Sequence, residues 1–267
     1  MPLTPFFDPI ETGRPMRVAA FMSGSGTNVK RLLAHEKTLE EQEGSSPFEV
    51  VFIFSDRSDG LCAGEGIALD SGLPYFSYDI RAFYAERSLE RNIKTSKGLE
   101  ARREYDRVAK GFVEAFHIDV IALGGYMSYI TMDRCVNVHP ADLSIRLPDG
   151  RRKYVGDQAV RDAIMGGETF LRSSTLWTDE GVDTGPLLMI SEPLPVELFE
   201  PLETLTKDNE RLFQVVNQHQ ERLKEFGDWK IFPITIEMIA RGRFALDEEK
   251  CVYVDEQPVP DGYRESR

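Results

Sequence analysis

A chain of 267 residues that is 41% hydrophobic and 10% aromatic has ample material for a packed core, as one large α/β domain or two small ones. Its formal net charge of -13 and pI near 4.9 exclude a nucleic-acid face, because neutralising phosphates needs clustered Lys and Arg; the charge reads as solubility. Cys62, Cys135 and Cys251 are far apart and lack C-x-x-C spacing, which points to reduced thiols and a cytoplasmic protein, and no run approaches the ~18 apolar residues of a membrane span.

Residues 1–15, with four prolines, read as an irregular arm, too proline-rich and acidic at its start for a signal peptide. A single domain is expected over 16–267. Arg17–Met22 is a short apolar run, followed by Ser23-Gly24-Ser25-Gly26-Thr27-Asn28 and then by Val29, Leu32 and Leu33 at helical spacing: strand, tight loop, helix. The pattern repeats with a strand at Val50–Phe54, a helix from Leu61 to Ser71 closed by Gly72, and a short strand at Tyr75–Ser77. Residues 79–97 are charged with few apolar positions and read as a surface excursion, a lid being the functional alternative. Helical periodicity resumes over Leu99–Phe116, with Tyr105, Val108, Phe112 and Val113 on one face. Strands follow at Ile118–Leu123 and Cys135–Val138, a helix at Ala159–Met165, and strands at Phe170–Trp177 and Leu187–Ile190. Long helical segments at Leu202–Phe226 and Trp229–Arg241 precede a hairpin at Phe244–Val254.

Strands alternating with helices, their apolar runs lacking strict alternation, predict an α/β fold: a mostly parallel twisted sheet of about seven strands with helices on both faces, Rossmann-like. Ligands then belong at the carboxyl ends of the strands. Gly24, Ser25, Gly26, Thr27 and Asn28 follow the first strand and open a helix, the arrangement of a phosphate cradle; a plain tight turn is the other reading. A dinucleotide fingerprint is excluded, because Val29 stands where the third glycine belongs. Asn137 and His139, two apart in a strand, point to one face at its end, although a histidine beside Pro140 also suits a turn cap. Asp183, flanked by Gly181 and Gly185, serves either a turn or a site. His35, His117 and His219 read as surface or packing residues. An amide, an imidazole and a carboxylate together supply what acyl transfer to an amine needs: an oxyanion donor, a proton carrier and a group that orients the carrier. Metal-ligand spacing is lacking, and Ser25 does not sit in a nucleophile elbow.

From Met16 to Tyr263 the chain resembles the folate-dependent formyltransferases. The resemblance rests on Ser23 to Asn28 after a strand, Glu104-Tyr105-Asp106, Gly124-Gly125-Tyr126-Met127, Asn137-Val138-His139-Pro140, Asp179 to Pro186, and Pro258 to Tyr263. It implies transfer of the formyl group of 10-formyltetrahydrofolate, a co-substrate, to a small phosphorylated amine, glycinamide ribonucleotide first. A deformylase, or a formyltransferase acting on a different amine, is the alternative. His139 and Asn137 would stabilise the oxyanion, while Asp183 would raise the histidine pKa and assist proton transfer. Gly26, Thr27 and Asn28 would hold the phosphate. Met127, Ser128, Tyr129 and Ile130 would line the folate pocket, Met127 and Ile130 being equally readable as core residues. The loop Thr178, Asp179, Glu180, Gly181, Val182 would close over the pterin, and Arg102, or Arg103 beside it, would contact ligand. No metal, nucleic acid or membrane partner is implied, and the assembly would be a monomer or homodimer. Two departures stand out: the segment after His139-Pro140 is longer and more charged than usual, and Leu176 stands where relatives often carry a histidine.

Overall fold

The computed structural model describes residues 2–264, so the extreme ends of the expected arm and domain lie outside it. Seven strands form the main sheet: β1 (Met16–Met22), β2 (Phe48–Ser55), β3 (Tyr75–Ser77), β4 (Val120–Leu123), β5 (Cys135–His139), β6 (Ser174–Trp177) and β7 (Leu187–Ile190). Their order is β3-β2-β1-β4-β5-β6-β7. The pairs from β3 through β5 are parallel, and β6 runs antiparallel to β7, so the mostly parallel α/β sheet of the sequence reading is present. The described residues fall into two compact units: 7–137 with 236–242, and 138–235 with 2–6 and 243–264.

In the first unit, β1 is buried along nearly its whole length, as a central parallel strand covered on both faces must be. Phe21, Phe52 and Phe54 pack with Phe76, Phe112 and Phe116 in one aromatic cluster, each buried ring contributing about 1.5–3 kcal/mol. Helices α1 (Thr27–Glu43), α2 (Gly64–Ser71) and α4 (Ser96–Ala115) join the strands, and Gly72 closes α2 in the left-handed region as expected. The excursion over 79–97 is overturned in its first half by a helix, α3 (Ile80–Arg87). Asp79 caps it, its carboxylate accepting from the backbone N–H of Arg81 and Ala82 at 2.8 and 3.0 Å. Ile80, Phe83 and Tyr84, at i, i+3 and i+4, are buried with Tyr105. On α4 the buried face runs through Ala101, Arg102, Tyr105, Ala109 and Val113, and Val108, expected on it, is exposed.

In the second unit, α5 (Ala159–Met165) lies where the sequence places it. The expected strand Phe170–Trp177 is split: Phe170–Leu171 pairs with Leu194–Pro195, and β6 begins only at Ser174. The expected helix 202–226 breaks at Asp208, whose side chain caps α6 (Asn209–Leu223). A π-helical turn, Lys224–Asp228, then leads into α7 (Trp229–Ala240). Gly227 is required there, because a Cβ would stand 2.4 Å from the Ser173 hydroxyl oxygen. Phe244–Leu246 and Val252–Val254 form the predicted hairpin. The arm is not irregular: Thr4–Pro5 pairs with Leu246 and Ala245, and in the first unit Asp8 caps a short helix over Pro9–Thr12.

Candidate active site

Strand order reverses around β1, with β2 and β3 on one side and β4 on the other, which makes the carboxyl ends of β1 and β4 a topological switch point, the preferred ligand position in such sheets. The two ends are tied together. Ser23 donates its backbone N–H to the Gly125 carbonyl at 3.1 Å and accepts the Met127 N–H on its hydroxyl at 2.9 Å. Gly26 begins α1 at φ +66°, where a Cβ would stand 2.5 Å from side-chain carbons of Ile67 and Met22; both conformation and packing demand glycine. No side chain caps the seventeen residues of α1, so its first N–H groups remain available to an anion. Ser25 is exposed with its hydroxyl 3.2 Å from that of Thr27, and the buried side-chain oxygen of Asn28 has no hydrogen-bond partner. The Gly24 carbonyl is engaged by the Ala63 N–H at 3.0 Å.

After Gly125 the chain enters a polar network. Arg102, expected at ligand, is 2% exposed; its guanidinium lies 2.9 Å from Asp106, donates to the Tyr126 hydroxyl at 3.2 Å and stacks on the Tyr105 ring. Asp106 also accepts the backbone N–H and hydroxyl of Thr131 at 2.8 and 2.7 Å. Arg102 therefore holds the segment 126–131 from beneath, while Arg103 is exposed. Within that segment Met127 is 70% exposed, Ser128 donates to buried Asp56, Tyr129 is half-buried and Ile130 packs into the aromatic cluster.

Asn137 pairs in register with Leu123 and is half-buried, and His139 is the next residue but one on β5. In the second unit His139 Nδ1 lies 3.5 Å from Asp183 Oδ2, both side chains being less than a tenth exposed. The Tyr154 backbone borders the ring and raises its basicity, whereas buried Nε2 has no hydrogen-bond partner. The carboxylate faces Nδ1, which favours the tautomer with its proton there and a lone pair on Nε2. Burial holds the imidazole below its ordinary pKa; Asp183, the Tyr154 backbone and Asp157 pull it up, and Arg152 pushes it down. Asp183 raises the histidine as expected, but desolvation outweighs the carboxylate, so the net shift is downward and the ring is neutral at neutral pH.

Asp183 takes φ +54°, and its Oδ2 accepts the Gly156 N–H at 2.8 Å. The exposed loop before it is shaped by Asp179, which accepts from the Gly181 N–H at 2.9 Å and the Thr184 hydroxyl at 2.7 Å; Val182 is 53% exposed. Leu176 is buried with Leu143, Leu187 and Ile190, a packing role that accounts for the absent histidine. The long segment after His139 carries residues that sequence reasoning missed. It folds as a hairpin in which Arg146 bridges Arg152, delivering Arg152 to the carbonyls of Asp183 and Gly185. The pairing of Asp149-Gly150, a turn signal, with extended flanks was the available clue. Among the described residues no group of three or more His, Cys, Asp and Glu side chains is placed to hold a metal ion.

The family described as "Formyl transferase" matches residues 16–213. The phosphoribosylglycinamide formyltransferase of Haemophilus influenzae is 22% identical over 255 residues, covering 91% of this chain and 96% of that protein. The human trifunctional purine biosynthetic protein adenosine-3 is 24% identical over 249 residues, 90% of this chain; the chain spans only about a fifth of its length. Among solved structures, the Coxiella burnetii phosphoribosylglycinamide formyltransferase superposes with a TM-score of 0.63 at 20% identity over 94% of this chain and 99% of that one. The glycinamide ribonucleotide transformylase 1 of Symbiobacterium toebii gives 0.61 at 23%, over 91% and 95%.

Proposed function

The chain belongs to the formyl transferase family, and from that premise we propose that it transfers the formyl group of 10-formyltetrahydrofolate to the amine of glycinamide ribonucleotide. The amine nitrogen attacks the formyl carbon. His139 Nε2 takes the amine proton, the carbonyl oxygen becomes an oxyanion that accepts from the Asn137 amide, and Asp183 stabilises the imidazolium that forms. Collapse breaks the bond from formyl carbon to N10, and the histidine proton passes to N10 of the departing tetrahydrofolate. Atoms and charge balance without a further reactant.

The observation that carries this reading is the buried, unpartnered Nε2 of a neutral imidazole whose other nitrogen faces Asp183. A base of that kind removes a proton from an attacking ammonium-like nitrogen near neutrality, worth roughly 10²–10⁴-fold, and one oxyanion donor adds on the order of 10²–10³-fold. The uncapped start of α1 supports assigning the substrate phosphate to Gly24–Asn28. For the reduced pterin we assign Met127, Ser128 and Tyr129 of the first unit, and leave Arg102 in its interior pair. The test is spectroscopic release of tetrahydrofolate with and without glycinamide ribonucleotide. Amine-dependent release is the expected result; release indifferent to the amine would make the protein a deformylase and overturn the proposal.

A further inference from the structure

In the second unit Arg152, Tyr154 and Gly156 all reach the His139–Asp183 pair or the turn that carries it. Arg152 donates through Nη1 to the Asp183 carbonyl and through Nη2 to the Gly185 carbonyl, the latter at 2.7 Å. Two residues on, the Tyr154 backbone borders the His139 ring and raises its basicity. Two further on, the Gly156 N–H donates to Asp183 Oδ2 at 2.8 Å. One short stretch, bent at 153, 154 and 156, thus grips the turn and the carboxylate and borders the imidazole. The hairpin keeps the stretch in register: the Lys153 N–H bonds the Ile145 carbonyl at 2.9 Å and the Leu147 N–H the Arg151 carbonyl at 2.8 Å.

The turn needs such a grip. Asp183 sits in the left-handed region at φ +54°, which an L residue with a Cβ populates reluctantly. A relaxed turn would swing the carboxylate off the ring. A planar guanidinium bonding two carbonyls that flank Thr184 fixes the distance between them, which a lysine, with one point charge, cannot do.

We propose that Arg152 is a positioning residue, clasping the Asp183-Thr184-Gly185 turn so that the Asp183 carboxylate is held against His139 during formyl transfer. The inference rests on the proposed roles of those two residues and adds to them a part played by the long, charged segment after Pro140. Arg152 touches no reacting atom; it acts through Asp183. It also brings a cation near His139, whose other charged neighbours are Asp183 and Asp157; removing the cation makes the imidazole easier to protonate, so the acid limb of the rate profile moves to higher pH.

The experiment compares wild type with Arg152→Ala, Arg152→Lys and His139→Ala, using 10-formyltetrahydrofolate and glycinamide ribonucleotide. Arg152→Ala is expected to lower kcat about 10- to 100-fold, the scale of an ångström-sized misplacement, with KM for both substrates within about threefold. Its acid limb is expected to shift upward, and added guanidinium to restore part of kcat. Arg152→Lys keeps the charge without the clasp: kcat falls while the acid limb stays, and this variant decides the matter if the alanine protein does not fold. Wild-type kcat in both Arg152 variants overturns the inference, as does a loss confined to KM. His139→Ala separates the two failures: if it is as active as wild type, the catalytic reading itself falls; if it is inactive while both Arg152 variants are normal, only the clasp falls.

Discussion

Replacing Asp106 by alanine removes one charge of a pair whose side chains are 2% and 3% exposed. The guanidinium of Arg102 is left buried with the Tyr126 hydroxyl, 3.2 Å away, and the Tyr105 ring, neither of which carries a charge. Breaking a buried pair from one side costs about 3–5 kcal/mol. Two charge-assisted bonds from Thr131, at 2.8 and 2.7 Å, are lost as well, and because Thr131 is half-buried water replaces part of them, leaving about 1 kcal/mol. The sum, about 4–6 kcal/mol, is a large share of the 5–15 kcal/mol that typically holds a domain together. Guanidinium unfolding followed by circular dichroism measures it directly. The double variant Arg102→Met with Asp106→Leu, which removes both charges and refills the volume, is expected to recover most of the loss. A cost below about 1 kcal/mol for Asp106→Ala, or a double variant no better than the single one, would refute the interior role of Arg102. So would an Arg102→Met protein of normal stability whose KM for the formyl donor rises, since that is the behaviour of a ligand contact.

Gly26→Ala adds a Cβ 2.5 Å from Ile67 and Met22 carbons at φ +66°, so a loss of about 2–3 kcal/mol is expected, with KM rising for the phosphorylated amine and not for the folate; unchanged KM for the amine would remove the phosphate assignment. Burial keeps His139 below its ordinary pKa, so kcat/KM should stay flat down to about pH 6.5 and fall only below it; a limb centred above 7 would contradict a neutral imidazole. The same depression makes the fold lose stability as pH drops from about 6.5, because the unfolded chain takes up the proton first. Glu36, half-buried while accepting the Val50 N–H at 3.2 Å, is pushed up to about 7 from 4.5, desolvation being the largest cause. Its contribution is therefore present below about pH 4.5 and lost as pH rises through about 7. Glu36→Gln should stabilise the protein at pH 8 by about 1–2 kcal/mol after allowing for solvent screening and leave it unchanged at pH 4; thermal melts at the two pH values check this.

Where one physical signal dominated, the sequence was readable. Arg17–Met22 is a contiguous apolar run ending in glycines, and Leu187–Ile190 is buried on both faces, which leaves few alternatives; Ala159–Met165 shows through the helical spacing of buried Ala159, Val160, Ala163 and Ile164. Helix α3 is hidden because Ile80, Phe83 and Tyr84 are its only large apolar side chains and the residues that follow it to Lys97 are mostly polar or charged. The burial of Arg102 is not legible either, because a cation enters an interior only with a mate, here Asp106 four residues on. At the site, Asn137, His139 and Asp183 were legible as residue types at strand ends. Arg152, Tyr154 and Gly156 were not, because two of them act through backbone atoms and all three depend on a hairpin register that no side-chain pattern announces. The sign of the His139 shift was equally out of reach, since desolvation is a property of what surrounds the ring.

The central claim is that the His139–Asp183 pair performs formyl transfer to a phosphorylated amine. Its most direct test is mass-spectrometric detection of N-formylated glycinamide ribonucleotide formed from 10-formyltetrahydrofolate by wild type, His139→Ala and Asp183→Asn, each first checked for native circular dichroism. Product is expected with wild type and at least about 100-fold less with either folded variant. No formylated product from wild type, or either variant forming it at the wild-type rate, would contradict it.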